Sequence, residues 1–254
     1  MSENFSPAIL IPVYKHAKAC RTVVKNLAPL CVSQKIPVIL VDDGNSENEK
    51  LILSEIESEN DFVHLVSLEK NGGKGKAFSE GVFFAKSRGI SHILQIDADG
   101  QHDFSRAAFF LEKSAASPSA LICGFPEYDE SAPNHRKNAH RFANLWCKIV
   151  TWESGIVDSL CGFRVYPVEE TARLLKKSHI DSRMGFDIDI LIRLIWRGVR
   201  TEFYGVRVTY PEDGISNFRP FRDNVRISWV FTKFFCGMIL RSPILLARKL
   251  RKTK

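Results

Sequence analysis

The stretch that decides the fold lies near the middle of the chain and reads Leu94-Gln95-Ile96-Asp97-Ala98-Asp99-Gly100-Gln101-His102. The apolar run at residues 90–96 is typical of a buried strand, and Gly100 lets the chain turn sharply behind it. Asp97 and Asp99 therefore follow the carboxyl end of a strand, which is the edge where open α/β sheets bind ligands. Paired carboxylates there suit a hard divalent cation that also binds phosphate oxygens, although Asp and Gly are common in plain solvated turns as well.

Strand-like and helix-like segments alternate on both sides of this stretch. The predicted strands lie at residues 8–14, 37–44, 62–68, 90–96, 120–124, 159–167 and 201–210. The predicted helices lie at residues 17–31, 48–59, 71–88, 105–114 and 185–197, and Pro167 is expected to start a further helix. This alternation indicates right-handed βαβ units, so the fold class is α/β with a mostly parallel sheet. The polar residues 126–141 are interpreted as a mobile loop over the site or as a plain surface excursion.

A second pair of acidic residues, Asp42 and Asp43, ends an earlier predicted strand. A lone acid at such a place is usually a helix cap or a turn residue. Both acidic pairs, however, should share one sheet edge with the Gly73-Lys74-Gly75 loop, which favours a common pocket for a nucleotide and a metal. In that pocket Asp42 or Asp43 would accept hydrogen bonds from a base or ribose. Asp97 and Asp99 would hold the ion, and Lys74 would face a phosphate.

Seven short blocks follow one another in a fixed order between residues 8 and 218. They are Ile11-Pro12-Val13-Tyr14, Val41-Asp42-Asp43-Gly44, Asn71-Gly72-Gly73-Lys74-Gly75, Asp97-Ala98-Asp99-Gly100-Gln101-His102, Cys161-Gly162-Phe163-Arg164, Gly185-Phe186-Asp187-Ile188-Asp189 and Gly214-Ile215-Ser216. In order and spacing they resemble the family 2 glycosyltransferases, and within that family the dolichyl- and polyprenyl-phosphate sugar synthases. The resemblance implies a GT-A fold, a Rossmann-like and mostly parallel sheet flanked by helices. It also implies a nucleotide-diphosphate sugar donor, with UDP or GDP as the nucleotide, and Mg²⁺ or Mn²⁺ as the ion.

The same resemblance implies roles for individual residues. Those expected at the donor are Pro12, Tyr14 and Asp42 around the nucleoside, and Asp97, Asp99 and Gln101 around the metal and the diphosphate. Arg164 would face an anionic group of the donor or the acceptor, with an ordinary surface arginine as the alternative. Breaking the sugar–phosphate bond develops negative charge on the departing nucleoside diphosphate, and a divalent ion with cationic side chains stabilises that charge.

The acceptor decides whether the enzyme needs a general base. A lipid phosphate is already ionised at neutral pH, whereas a hydroxyl acceptor must lose its proton to a carboxylate. Asp187 and Asp189 are the candidates, and on a helix they point about 200° apart, so at most one faces the site. Asp189 occupies the position of the family's usual carboxylate and is preferred, although it also stands four residues before Arg193, as an ordinary surface ion pair would. Asp99, as a metal ligand, is the third residue expected to act in catalysis, beside Asp187 and Asp189.

Two departures from the family pattern leave the exact donor and acceptor open. Asn217 stands where the lipid-phosphate synthases usually carry lysine, so Arg219 or Arg222 is expected to supply that charge. Lys15 replaces the usual Asn or Glu after the tyrosine of the first strand. In the stretch 126–141, Arg136 and Arg141 are candidates for gripping an acceptor phosphate, with solvated surface charges as an equal alternative.

Charge is concentrated at the carboxyl end. The chain of 254 residues carries a net charge of +7, and residues 219–254 hold ten Lys or Arg and one acid. We therefore divide the chain into a catalytic domain at 1–218 and a basic tail at 219–254. Such a tail suits an anionic membrane surface or nucleic acid. The apolar and aromatic composition of residues 228–247 favours the membrane and speaks against nucleic acid.

The tail is expected to form one or two interfacial helices, because its uncharged runs fall short of the ~20 residues that a spanning helix needs. A core-packing helix with a basic end is the alternative. Six Cys without CxxC spacing indicate a reducing compartment, and the amino terminus has no apolar signal-like region. We expect a protein peripheral to the cytoplasmic face of a membrane.

The sequence thus predicts a metal-dependent, inverting glycosyltransferase that uses a nucleotide-diphosphate sugar and a lipid-linked acceptor, most simply polyprenyl phosphate. One alternative is transfer to a hydroxyl of a glycan or glycolipid. Another is a catalytically silent scaffold that binds nucleotide sugar. A nucleotidyltransferase is a third alternative, but no glycine-rich signature follows the first strand, and the Lys74 loop does not fit the P-loop pattern.

Overall fold

The computed structural model describes residues 5–128, 134–209 and 220–252. In this part of the chain the strands are β1 (Pro7–Val13), β2 (Val38–Asp42), β3 (Val63–Ser67), β4 (His92–Gln95), β5 (Leu121–Tyr128), β6 (Arg164–Pro167) and β7 (Thr201–Val208). The helices are α1 (Ala17–Gln34), α2 (Glu47–Glu59), α3 (Lys74–Ser87), α4 (Ala107–Ala116), α5 (Asn134–Thr151), α6 (Val168–Lys177), α7 (Phe186–Trp196) and α8 (Pro220–Lys252). A short 3-10 turn, Phe104–Arg106, precedes α4.

The described strands form one sheet in the order β3-β2-β1-β4-β6-β5-β7. Strands β1 to β4 run parallel, and β7 runs parallel to β5. Strand β6 runs antiparallel to both of its neighbours, β4 and β5. The expectation of a mostly parallel α/β sheet flanked by helices is confirmed.

Two hydrophobic cores cover the two faces of the sheet, and alternation along β1 shows how the sequence produces them. Leu10 faces the core that α3, α5, α6, α7 and α8 complete, whereas Ile9 and Ile11 face the core that α1, α2 and α4 complete. Because both faces are covered, the central strands are apolar at nearly every position, as buried parallel strands usually are. The polar side chains that matter for function are left at the strand ends.

The prediction of a loop at residues 126–141 is wrong for the part that the structure describes. Strand β5 continues to Tyr128, because its residues from Leu121 onward pair with β7, about eighty residues away in sequence. Helix α5 then begins at Asn134, and sequence reasoning missed it entirely. Residues 129–133 lie outside the described residues, as do Gly214-Ile215-Ser216, Asn217 and Arg219.

Strand β6 is shorter than expected, because it starts at Arg164 and the residues before it are held by side chains. Asp158 accepts hydrogen bonds from the amides of Leu160 and Cys161, at 2.9 and 2.6 Å. The Ser159 amide donates to the side-chain oxygen of Asn144 in α5, at 2.8 Å. These bonds replace a strand ladder and fix the segment that enters the site.

The tail forms a single helix, α8, of 33 residues. One or two helices were expected from the sequence, and the structure has one, which continues through Lys233 and Arg241. Its section Val225–Leu250 is long and apolar enough to cross a membrane by length and composition alone. Phe231 and Phe234 are buried against Trp146 of α5 and Trp196 of α7, so α8 is also packed on the catalytic body.

Candidate active site

The acidic residues singled out in the sequence lie where strands β2 and β4 end. The Asp43 amide donates to the carbonyl of Val13, at 3.0 Å, and the Ile96 amide donates to that of Leu10, also at 3.0 Å. These bonds continue the hydrogen-bonded pairing of β1 with β2 and with β4 beyond the regular strands. The carboxyl ends of β1, β2 and β4 therefore meet at one sheet edge, as the parallel topology requires.

Lys74, the first residue of α3, connects two carboxylates from separate elements. Its ammonium lies 2.8 Å from Asp97 Oδ1 and 2.9 Å from Asp187 Oδ2. Burial by itself lowers the pKa of Lys74, but the charges of Asp187 and Asp97 outweigh it and raise the pKa. Burial likewise raises the pKa of Asp97, but Lys74 and His102 outweigh it and lower the pKa. Lys74 and Asp97 are therefore charged at neutral pH, and the two ion pairs of Lys74 join β4, α3 and α7 at one point.

Asp99 follows Asp97 in the turn beyond β4. Its Oδ1 accepts a hydrogen bond from the Gln101 amide, at 3.1 Å. Burial raises the pKa of Asp99, and the negative charge of Asp97 raises it further. Two like charges held close together are a natural place for a cation. Within the described residues, no third His, Cys, Asp or Glu joins them to complete a metal cluster.

Gly162 lets the chain pass directly against Asp97. A Cβ atom at Gly162 would lie 2.4 Å from Asp97 Oδ2, which is closer than such contacts allow. Behind this glycine, the Cys161 sulfur lies 3.7 Å from His102 Nε2, and the His102 and Phe163 rings are 5.5 Å apart. The block around Gly162 thus forms one wall of the Asp97 site.

Asp42 and Asp43, which the sequence could not distinguish, have different environments. Asp43 holds the glycine-rich loop, because its carboxylate accepts bonds from the amides of Gly72 and Gly73 and from Asn71 Nδ2, at 2.7, 2.9 and 2.8 Å. Asp42 Oδ1 accepts two bonds from Asn45, whereas Asp42 Oδ2 is buried without a partner among the described residues. Asp42 therefore keeps an acceptor for a ligand, and Asp43 shapes the loop that carries Lys74.

The predicted nucleoside side of the site follows β1. Pro12 lies in β1 opposite Val41, and the Lys15 ammonium lies 5.2 Å from the centre of the Tyr14 ring. The Lys15 backbone has a φ of +62° and its amide donates to Asn45 Oδ1, at 2.7 Å. A left-handed conformation is uncommon outside glycine, so this turn is held by Asn45, a residue that sequence reasoning did not single out.

The geometry does not support the sequence-based preference for Asp189 over Asp187. Asp189 is completely buried, and its carboxylate contacts Arg193 of its own helix, Lys233 of α8 and the Asp181 amide. A carboxylate occupied in this way has no oxygen left for an acceptor. Asp187 is the one that faces Lys74, because the two residues point to different sides of α7. Whether Asp187 takes a proton stays a prediction.

Arg164 is placed behind the site rather than in its opening. It is completely buried, and its Nη1 donates to the backbone carbonyl of Asp187, at 2.8 Å. Its Nε and Nη2 have no hydrogen-bond partner among the described residues. Gln95, which faces Asp187 Oδ1 at 3.4 Å, was missed in the sequence. A single buried amide in an otherwise apolar strand was the available signal.

A cavity of about 290 Å³ opens between β5, α5 and the segment that precedes β6. Lys137, His140 and Arg141 line it from α5, together with Tyr128 and Asp158. His140 Nδ1 lies 2.5 Å from Asp158 Oδ2, and although burial raises the pKa of Asp158, this contact outweighs it and lowers the pKa. The cavity thus collects basic side chains next to the chain segment that leads to Gly162.

Comparisons with known proteins show which proteins this chain is similar to. Dolichyl-phosphate beta-glucosyltransferase of Dictyostelium discoideum is 26% identical over 206 residues, which cover 75% of this chain and 60% of that protein. Polyprenol monophosphomannose synthase of Mycolicibacterium smegmatis is 26% identical over 227 residues, which cover 86% of this chain and 82% of that protein. The chain thus spans less than two thirds of the first relative and most of the second.

The fold is also similar to that of solved structures. Glucosyl-3-phosphoglycerate synthase from Mycobacterium tuberculosis, crystallised with Mn²⁺, UDP and phosphoglyceric acid, matches with a TM-score of 0.67. The match covers 92% of this chain and 78% of that one, at 15% identity. A family model described as Glycosyl transferase family 2 matches residues 8–181, more than half of the chain. The protein therefore belongs to glycosyltransferase family 2 and has a GT-A-like fold.

Proposed function

We propose that this glycosyltransferase moves a sugar from a nucleoside-diphosphate donor to a polyprenyl-type lipid phosphate, with inversion and with a divalent metal ion. The observation that carries the proposal is the ion bridge of Lys74 with Asp97 and Asp187, at the sheet edge that also holds Asp99. The relatives named as dolichyl-phosphate and polyprenol-phosphate sugar transferases support the acceptor class.

Asp97 and Asp99 fit the metal. Carboxylate oxygens are the ligands that Mg²⁺ and Mn²⁺ prefer, and the two carboxylates leave positions for diphosphate oxygens, with Gln101 beside them. When bound, such an ion neutralises the charge that develops on the departing diphosphate. Lys74 supplies a second, fixed positive charge at the same place. The nucleotide's base or ribose would satisfy the unpaired Asp42 Oδ2.

The cavity beside α5 supports a phosphate acceptor. Lys137 and Arg141 bring positive side chains to it, with His140 beside them, and an ionised phosphate needs no general base. Transfer to a hydroxyl of a glycan or glycolipid is the second candidate. It is favoured by one observation, that Asp187 places a carboxylate in the site beside Lys74.

The position of α8 supports association with the membrane surface rather than a crossing. Basic side chains bind both ends of α8 to the catalytic body. Arg226 pairs with Asp181 near the start of the helix, and Arg248 donates to the carbonyl of Trp196 near its end. These contacts span about 33 Å at 1.5 Å per residue, so the helix lies along the body. Its outer side exposes Trp229, Leu240 and further apolar residues, which suit the acyl boundary of an anionic cytoplasmic leaflet.

Transfer from labelled donors tests the proposal. The purified chain is incubated with UDP- and GDP-sugars, Mg²⁺ or Mn²⁺ and polyprenyl phosphate, and label in the lipid phase is measured. We expect metal-dependent transfer from one nucleotide class, and a loss of roughly 10²-fold or more for Asp99→Ala or with EDTA. Donor binding without turnover on lipid phosphates, glycans and glycolipids would contradict the proposal and favour a silent scaffold.

A further inference from the structure

Residues 71–75, the glycine-rich stretch that leads into α3, are called the Lys74 loop here. This loop rests on a neighbouring segment, residues 178–185, which connects α6 to α7 and is called the brace. The Gly75 amide donates to the Ser182 carbonyl, at 2.9 Å. Arg183 Nη1 donates to Asn71 Oδ1, at 3.0 Å. A Cβ atom at Gly73 would lie 2.3 Å from the Ser182 oxygen, so the two backbones are in direct contact. The position of the brace therefore sets the position of the loop.

The brace is in turn held by α8. Arg226 Nε donates to Asp181 Oδ2, at 2.7 Å, and the Asp181 side chain is only 9% exposed. Lys233 Nζ donates to Asp189 Oδ2, at 3.0 Å, and the same oxygen accepts the Asp181 amide, at 3.1 Å. Val230 of α8 packs on the brace at its last residue. Two cations of α8 thus hold this region: Arg226 binds Asp181 in the brace, and Lys233 binds Asp189 in α7, which follows the brace.

The charges explain why α8 is needed there. Asp181 and Asp189 are like charges joined through one backbone amide, and Asp189 is completely buried. Arg193 neutralises Asp189 from its own helix, but the ion pair of Asp181 comes from Arg226. Without α8 the Asp181 carboxylate would turn toward water, and the brace would lose one of its anchors.

We propose that α8 positions the Lys74 loop through the brace, with Arg226 and Lys233 as positioning residues that act through Asp181 and Asp189. The path continues from Gly75 to Lys74 and so to Asp97 and Asp187. A helix that faces the membrane is thereby coupled to the charges that face the donor. The proposal rests on the proposed function for the ligand that Lys74 meets and for the membrane that α8 faces.

Hydrogen–deuterium exchange of the full chain without substrate tests the coupling directly. In Arg226→Ala we expect the peptide covering residues 71–77 to exchange about tenfold faster than in the unchanged protein, since the bond from Gly75 to Ser182 opens more easily. Arg226→Lys keeps the ion pair and should restore protection. The matched control is Arg241→Ala, a basic residue of the same helix that stacks on Trp196, at 4.5 Å, and does not contact the brace.

Kinetics provide a readout that a merely stabilising contact would not change. In Arg226→Ala the donor KM should rise about fivefold, because the loop is misplaced, whereas loss of folded protein would lower kcat alone. Lys233→Gln gives the same comparison if Arg226→Ala fails to fold. Equal exchange at residues 71–77 in the Arg226 and Arg241 variants would overturn the coupling. Faster exchange in a chain that binds no nucleotide sugar would keep the coupling and refute the proposed function.

Discussion

Lys74 brings a positive charge to the acidic side chains at the carboxyl edge of the sheet and joins two of them. It replaces solvent as the partner of Asp97 and Asp187, and its ammonium is held within 2.9 Å of both carboxylates. The sequence showed that the lysine lay near the edge but gave no sign of Asp187 as its second partner. That contact depends on how α7 packs, and no local pattern encodes the packing.

Lys74→Met should therefore separate catalysis from folding. Methionine keeps the length of the side chain but removes the charge that opposes the departing diphosphate, so kcat should fall roughly 10²-fold. Lys76→Met is the matched control, because Lys76 lies two residues further along α3 and pairs with Glu80 on the exposed side. Transfer kinetics of both variants are the measurement. Similar kcat values for the two variants would exclude Lys74 from the reaction.

At the scale of elements, α7 carries two acids with separate tasks. Asp187 faces the site, and Asp189 joins α7 to α8 through Lys233 and to its own next turn through Arg193. The fold class and most strands were predictable, because apolar periodicity and strand-end acids are local features. Helix α5 and the full length of β5 were not, since β5 is completed by pairing with β7 and the polar start of α5 hides its buried side.

Neutral variants of the two acids should show this division. Asp189→Asn leaves Lys233 and Arg193 without a buried counter-ion, so the free energy of unfolding should fall by about 2–4 kcal/mol. Asp187→Asn should lower kcat about tenfold or more and change the melting temperature much less, because Asp187 faces the site and its side chain is 13% exposed, whereas that of Asp189 is completely buried. Thermal unfolding and transfer assays on both variants check this. The reverse assignment of effects would restore Asp189 as the catalytic candidate.

The junction of α5 with β6 should make the protein sensitive to acid. Burial raises the pKa of Asp158, but the contact with His140 and the amides of Leu160 and Cys161 outweigh it, so the folded pKa lies below the ordinary value. Asp158 thus stabilises the fold at pH above about 4, the unfolded pKa, and loses this contribution as the pH falls through its folded pKa. Denaturant unfolding from pH 6 to pH 3 should show a steeper loss for the unchanged protein than for Asp158→Asn. Parallel curves would contradict the assignment.

At the scale of the whole molecule, charge and apolar surface both lie on the α8 side. Residues 219–254 hold ten Lys or Arg and one acid, and Leu240 is 82% exposed on the face of α8 that points away from the body. The charge asymmetry could be predicted from the sequence. The choice between one helix and two could not, because Lys233 and Arg241 interrupt the apolar pattern and find their partners only in the folded body.

Replacement of Leu240 by glutamate should weaken membrane binding without affecting the fold. Sedimentation with anionic vesicles is the measurement. We expect the partition coefficient to drop about tenfold, since the membrane contact of one leucine is lost and one negative charge is added. Leu51→Glu is the matched control, because Leu51 is 63% exposed on α2. Binding of the unchanged protein should also weaken in high salt. Equal vesicle binding by both variants would remove α8 as the membrane contact.

The reversed direction of β6 has a practical consequence for protein engineering. Because β6 runs against its neighbours, the chain enters it at the ligand edge, at Arg164 opposite Gln95, and leaves it at the opposite edge, near Pro167. Insertions and tags placed before β6 would displace Gly162 and the carboxylate that it touches. The other end of β6 lies a full strand length away, but Pro167 and Val168 are buried there and α6 begins at once. An insertion at that point would therefore destabilise the fold rather than change the chemistry of the opposite edge.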